Sequence, residues 1–178
     1  MPSMKLWWVT VALVISPAVT WAQDVHTSFS PSANFSSFRT YYWANTDAVP
    51  GNDIVNQRIM AAVDRGMAQR GWTKAPEGEA DLAVVANVST QERQKLDTFY
   101  GGWGWGGWGW GGWGPTTTTV RTYLEGTLVV DLFDASTHKL VWRGVATDTV
   151  SHDPQKNAEH IDKAVAKMFG KKFIEDED

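Results

Sequence analysis

Acidic and histidine side chains in the second half of the chain are the residues that could support hydrolysis. Asp131 and Asp134 flank Phe133 near the end of a predicted strand, and His152 follows them before a predicted helix. Two carboxylates held about 5–10 Å apart can cleave a glycosidic bond. However, the sequence has no GxSxG elbow, and Asp134 and His152 both lie in turn-forming stretches. The pattern favours a protein that is not an enzyme, with a weak hydrolase using Asp131, Asp134 and His152 as the alternative.

The other reactive residue types limit the possible metals, redox groups and nucleic-acid partners. The chain has no cysteine, which excludes disulfides, thiolate metal ligands, a cysteine nucleophile and a thioether-linked lipid. A net charge of −4 without a basic patch argues against nucleic acid as a partner. The four histidines are not at metal-ligand spacing, so neither a metal nor another cofactor is expected. These histidines are His26, His138, His152 and His160.

The most unusual stretch is a tryptophan- and glycine-rich insert at residues 101–114, with the sequence GGWGWGGWGWGGWG. It holds five of the 11 tryptophans and nine of the 16 glycines. The insert lacks the Lys-Ser/Thr of a phosphate loop and precedes a strand, so a nucleotide cradle is excluded. An exposed group of indoles of this size indicates a contact surface. The candidate binding residues are Trp103, Trp105, Trp108, Trp110 and Trp113.

Three kinds of partner fit this insert, and its composition leaves them open. Flat indoles separated by glycine could stack on the apolar faces of sugar rings in a glycan such as peptidoglycan. Indoles also favour the interfacial zone of a bilayer, so a membrane surface is the second possibility. In the third, the insert packs on itself or covers a protein partner in the envelope. Low-complexity drift without a role is a further alternative.

The first 22 residues have the features of a secretory signal peptide. Lys5 supplies the positive charge, and Leu6–Ile15 is an apolar run of suitable length. Cleavage is expected after Ala22. The apolar run is shorter than the roughly 20 residues that span a bilayer, and no later segment is expected to cross one. The chain is therefore expected to be exported to the periplasm or cell envelope, without a lipid anchor on cysteine.

The elements that must position these residues are predicted from apolar periodicity. Alternating apolar and polar residues predict four strands, which are Phe38–Ala44, Ala80–Thr90, Val120–Asp134 and Leu140–Val150. Polar Gln91–Asp97 can extend the second strand towards the insert. The threonine-rich run that begins at Thr116 can pair with this extension. The insert would then lie at the tip of a tall hairpin.

Two helices are predicted from apolar residues at helical spacing. The first is capped by Asn52 or Asp53 and runs to about Arg70, and the second starts at Asp153-Pro154 and runs to about Lys172. Two amphipathic helices need one apolar sheet face to cover. The predicted fold is therefore α/β (α+β), in the order β-α-β-β-β-α. It is a two-layer sandwich in which a mainly antiparallel sheet of about four strands carries both helices on one face.

A single domain is expected at residues 37–173, with the insert inside it. An extended lead-in at residues 23–36 precedes this domain, and an acidic tail at residues 174–178 follows it. These boundaries leave residues 1–22 as the signal peptide.

Several short motifs occur in the order found in one known family. They are Tyr41-Tyr42-Trp43 after a Phe-Ser-Ser-Phe lead, Ala80-Asp81-Leu82, Thr127–Leu132 with Asp134, Leu140–Gly144, and Asp153-Pro154. On these motifs the chain resembles the DUF4136 family of exported bacterial envelope proteins, over about residues 35–173. The resemblance implies the same order of elements and an envelope location, but no activity. Many members look like lipoproteins with a cysteine after the leader, and this chain has none.

Overall fold

The computed structural model describes residues 23–99, 117–170 and 173. In this part of the chain, a six-stranded sheet is covered on one face by two helices. The strands are β1 (Asp24–Phe29), β2 (Thr40–Trp43), β3 (Thr73–Lys74), β4 (Leu82–Phe99), β5 (Thr117–Asp134) and β6 (Leu140–Thr149). The helices are α1 (Asp53–Gln69) and α2 (Pro154–Met168). The predicted leader, insert and acidic tail lie outside the described residues.

The strand order is β1-β6-β5-β4-β2-β3. Neighbours are antiparallel from β1 to β4, whereas β2 pairs in parallel with both β4 and β3. The α+β class is confirmed, but the expected sheet of about four strands and its element order are wrong. β1 comes from the predicted lead-in and β3 from the connection after α1. β3 has only two residues, and β1 is an edge strand with no fully buried side chain, so neither has a strong apolar pattern.

Both helices begin at side-chain caps that the sequence predicts. The Asn52 side chain accepts a hydrogen bond from Val55 N–H at the start of α1. Asp153 caps α2 in the same way through Gln155 N–H, with Pro154 at the first helical position. α2 ends at Met168, before the predicted end.

The two helices lie side by side and run in the same direction. Near the middle of both, Arg58 and Arg65 of α1 each donate to Asp162 of α2 at 2.7 Å. Towards their C-terminal ends, Gly66 of α1 lies against the Phe169 ring. The N-termini of both helices therefore lie at the same end of the sandwich.

The end of the sandwich at the helix C-termini is filled by an aromatic cluster. The Trp142 ring stacks on Phe173 with centroids 4.7 Å apart and lies 5.1 Å from Phe169. The Trp142 indole N–H donates to the Phe173 carbonyl at 2.8 Å, so its polar atom is satisfied inside the core. Close approach here requires glycine, because a Cβ at Gly66 would lie 2.6 Å from the Phe169 ring and one at Gly144 2.5 Å from Trp142.

The longest pairing in the sheet joins β4 and β5 through 18 consecutive residue pairs, from Leu82↔Asp134 to Phe99↔Thr117. β6 ends beside this ladder, where Val150 N–H donates to the Leu124 carbonyl. Beyond Leu124, seven pairs (93–99 with 117–123) have no third strand beside them among the described strands. We call this two-stranded segment the arm. At about 3.4 Å per residue it is roughly 20 Å long.

Asp81 joins the start of β4 to the start of β2. Its Oδ2 atom accepts hydrogen bonds from the backbone N–H groups of Arg39 at 2.7 Å and Thr40 at 3.0 Å, and from the Thr40 hydroxyl at 3.0 Å. The Arg39 hydrogen bond, supported by those from Thr40, lowers the pKa of the Asp81 carboxyl below its ordinary value. An ionised Asp81 therefore stabilises the junction at which the short parallel pairing of β2 with β4 begins.

Replacing Asp81 should destabilise the fold in a pH-dependent way. Asp81→Ala is expected to lower the free energy of unfolding at pH 7 by about 1–3 kcal/mol, because hydrogen bonds to a charged group are lost. The folded-state pKa is depressed, so this contribution is present above about pH 4 and is lost as the pH falls through the folded pKa. Urea unfolding of wild type and variant over a descending pH series measures the difference.

The exposed acid Glu77 provides the control for that series, since Glu77→Ala should change stability little at any pH. A difference between wild type and Asp81→Ala that stays constant down to the acid limit of folding would contradict the assignment.

Candidate functional site

The three residues of the hydrolase alternative are not brought together. Asp131 lies within β5, Asp134 ends that strand, and His152 precedes α2. β5 and β6 are antiparallel, so Asp134 lies near the beginning of β6 and His152 beyond its end. A strand of 10 residues spans roughly 30 Å. The described geometry therefore does not support a shared catalytic site for these side chains.

Asp131 forms a cross-strand ion pair with Arg143 on the sheet face that the helices leave open. Arg143 Nε donates to Oδ1 at 2.6 Å, and a terminal guanidinium nitrogen donates to Oδ2 at 2.7 Å. The Asp131 side chain is only 7% exposed, whereas that of Arg143 is 46% exposed. These hydrogen bonds, together with attraction to the carboxylate, raise the pKa of Arg143. Both carboxylate oxygens of Asp131 are thus occupied in a structural interaction.

Asp134 organises the turn between β5 and β6. Its Oδ1 atom accepts from the Ser136 hydroxyl at 2.7 Å and from the backbone N–H groups of Ser136 and Thr137 at 2.9 and 2.8 Å. The Ser136 hydroxyl and then the Thr137 N–H lower the pKa of Asp134. Ser136 and Lys139 have the SxxK spacing of some serine nucleophiles. Here both are exposed turn residues, and the Ser136 hydroxyl is engaged with Asp134.

The five indoles predicted as binding residues lie outside the described residues. They are Trp103, Trp105, Trp108, Trp110 and Trp113. The strands on either side of them are described as far as Phe99 and Thr117, which are paired with each other at the end of the arm. The two attachment points of the intervening chain are therefore adjacent.

A cavity of about 290 Å³ lies at the base of the arm, between the sheet and the N-terminal halves of the two helices. Its walls are predominantly apolar. α1 contributes Val55 and Ile59, α2 contributes Ile161 and Ala164, and the sheet contributes Leu128 among others. The volume is at the lower end of that of pockets that hold small molecules.

Three polar side chains meet at one part of this cavity. Gln23 Nε2 donates to the His160 carbonyl at 2.9 Å, which directs the Gln23 Oε1 atom away from that carbonyl. Oε1 is itself buried and accepts no hydrogen bond from the described residues. His160 Nδ1 lies 3.1 Å from Asp148 Oδ2, close enough for an ion pair on protonation but outside hydrogen-bond geometry.

The sequence does not indicate this cavity. Its apolar residues are those expected to form the core faces of helices and strands, and His160 is expected to be a surface residue. Among the described residues, no group of three or more His, Asp or Glu side chains could hold a metal ion. In the same residues, no helix is long and apolar enough to cross a membrane.

The described residues define a two-layer α+β domain with an extended hairpin arm and an apolar cavity at its base. The chain belongs to the DUF4136 family, described as a domain of unknown function, whose model matches residues 25–171. This match confirms the resemblance noted from the sequence. The matched range also includes all of β1 except its first residue, Asp24.

Several solved structures are similar to the chain. A PDZ domain protein from Parabacteroides distasonis has a TM-score of 0.52 at 10% identity, covering 83% of this chain but only 36% of that one. A PelC dodecamer from Paraburkholderia phytofirmans has a TM-score of 0.48 at 13% identity, covering 82% of this chain and 94% of that one. The similarity to the PDZ domain protein shows the fold alone, and this chain spans about a third of the length of the PDZ domain protein. A search of curated proteins found no match.

Breaking the Asp131–Arg143 pair should cost stability. Arg143→Met would leave a buried carboxylate without its donor, so the free energy of unfolding should fall by about 1–3 kcal/mol. The double variant Arg143→Met/Asp131→Leu should recover much of that loss, because no unpaired charge remains buried. Urea unfolding of the single and double variants measures both effects.

Arg93→Met is the matched control for this pair. Arg93 Nε, at the base of the arm, donates to Glu125 Oε1 at 3.1 Å, and an ion pair with an exposed partner contributes at most about 1 kcal/mol. Equal losses for Arg93→Met and Arg143→Met, or a double variant less stable than Arg143→Met alone, would contradict the structural role given to Asp131.

Proposed function

We propose that this protein is an exported, non-enzymatic module of the bacterial envelope that binds a surface through its tryptophan- and glycine-rich insert. The single observation that supports this most strongly is the arm. Seven residue pairs carry the β4–β5 ladder beyond the last contact with β6. The attachment points of the insert, Phe99 and Thr117, are thereby held together at the far end of the arm.

The arm suits presentation of a contact surface better than it suits core formation. Gln91–Gln94 at its base are exposed on β4, and Arg121 and Thr122 are exposed on β5. A two-stranded ribbon without a covering layer has little stability of its own and needs anchoring. The arm is anchored by the rest of the β4–β5 pairing, which lies between β2 and β6 in the sheet. In that part the paired residues Val84 and Leu132 are buried in the core.

The insert supplies the binding chemistry in this proposal. Indole rings bury a large apolar area and keep one N–H for hydrogen bonding, which suits sugar rings, a bilayer interface or a protein groove. The glycines between them add no side chains that would block approach to the rings. Export, supported by the composition of residues 1–22, would place this surface in the periplasm or envelope.

The hydrolase alternative is not favoured. Asp131 and Asp134 are engaged in an ion pair and in a turn, and His152 lies beyond the opposite end of β6.

Replacing the five indoles should abolish surface binding without unfolding the domain. A variant with Trp103, Trp105, Trp108, Trp110 and Trp113 all changed to Ala is expected to bind at least roughly tenfold more weakly, since truncating one central aromatic contact costs about 2 kcal/mol. Co-sedimentation with purified peptidoglycan sacculi and with phospholipid vesicles, and capture from solubilised envelope proteins, identify which surface is bound.

Ile54→Ser is the matched control, because Ile54 is 82% exposed on α1 and belongs neither to the arm nor to the insert. This variant removes an exposed apolar side chain and changes no residue of the insert, so its binding should equal that of wild type. Circular dichroism and the melting temperature establish that each variant is folded. Equal binding by wild type and the folded five-tryptophan variant would refute the proposal.

A further inference from the structure

The cavity at the base of the arm results from small side chains at one level of the sandwich. Gly126 of β5, Ala146 of β6 and Ala164 of α2 all line it, where larger residues would fill the space. The opposite end of the same layer is occupied by the rings of Trp142 and Phe169. The helices are held at that end by close packing, so they do not close onto the sheet at their N-termini.

The size of the cavity sets the size of an occupant. An apolar cavity of about 150 Å³ in another protein stays dry and accommodates benzene, which has six heavy atoms. A cavity of about 290 Å³ has room for roughly nine to twelve heavy atoms. Its walls include Val55, Ile59 and Ile161, which favour an alkyl chain or a small ring system over water.

The polar end of the cavity sets the chemistry of the occupant's head group. Gln23 Oε1 is an acceptor without a donor among the described residues, and its amide orientation is determined by the Nε2 bond to the His160 carbonyl. Asp148 presents a carboxylate to the same cavity, with Oδ1 accepting from Thr149 N–H at 2.7 Å. A ligand carboxylate would meet two acceptors, whereas a hydroxyl can donate to Gln23 Oε1.

We infer that this cavity binds a small uncharged amphiphile, an alcohol with an apolar body of about eight to ten carbon atoms. The chain or ring packs between α1, α2 and the sheet, and the hydroxyl donates to Gln23 Oε1. This site is separate from the insert and does not depend on what the insert binds.

Selective labelling of isoleucine methyl groups tests the inference on the full chain. 1-Octanol has nine heavy atoms and is the probe. Titration should produce saturable methyl shifts at Ile59 and Ile161, which line the cavity, and clearly smaller shifts at Ile54, which is 82% exposed and does not line it. Octanoate at pH 7 has the same number of carbon atoms and should bind about tenfold more weakly or not at all, because its head group cannot donate.

Two variants separate the head-group contact from the apolar walls. Gln23→Leu should weaken octanol binding by about five- to tenfold through loss of the acceptor, whereas Gln155→Leu on the exposed side of α2 should leave it unchanged. Ala164→Leu should fill the cavity and prevent the shift at Ile59. If that variant does not fold, the wild-type titration and Gln23→Leu still decide the question.

The inference is overturned if octanol moves Ile54 as much as Ile59 and Ile161, or moves none of them. It is equally overturned if octanoate binds as well as octanol, or if Gln23→Leu and Gln155→Leu behave alike. A saturable response confined to the two cavity isoleucines, selective for the alcohol and sensitive to Gln23, supports it.

Discussion

The 18 residue pairs between β4 and β5 are the interaction on which the remaining architecture depends. Side chains alternate between the two faces of a strand, so a slip of one residue would move every core side chain of β4 to the open face. An unbroken register keeps Val84 opposite Leu132 and Val88 opposite Leu128. The same register carries the pairing beyond the core, so one ladder supports both the hydrophobic centre of the sandwich and the arm.

The helix layer is packed unevenly against this sheet, and the unevenness has a physical origin. At the helix C-termini, Gly66 and Gly144 allow the backbones to approach the aromatic rings of Phe169 and Trp142. At the helix N-termini, small residues such as Ala146 and Ala164 leave space that no ring occupies. Because interiors pack at nearly crystalline density, a partly open cavity of about 290 Å³ distinguishes this end of the layer from the other. The helix layer is therefore closely packed at one end and open at the other.

Much of the fold is predictable from the sequence because the signals are local. The caps Asn52 and Asp153 act on N–H groups two or three residues away, so they mark both helix starts correctly. Alternation of apolar and polar residues identifies β4, β5 and β6, because each of these strands has several side chains in a row that face the core. β1 and β3 are missed because edge strands of six and two residues are defined by partners distant in the chain. For the same reason, the sequence leaves open whether Arg143 pairs across strands with Glu125 or with Asp131, and the register of β5 and β6 decides for Asp131.

The sequence by itself determined the family, the α+β class and the position of the tryptophan-rich insert between two strands, because composition and periodicity are properties of contiguous residues. Tertiary structure alone decided how far the β4–β5 ladder extends, which carboxylates are engaged, and where the cavity lies. Gln23 and His160 are 137 residues apart in the chain and meet only because β1 and α2 both pack beside β6. An empty volume depends on the distance between elements, and that distance is set by long-range packing rather than by any single stretch of sequence.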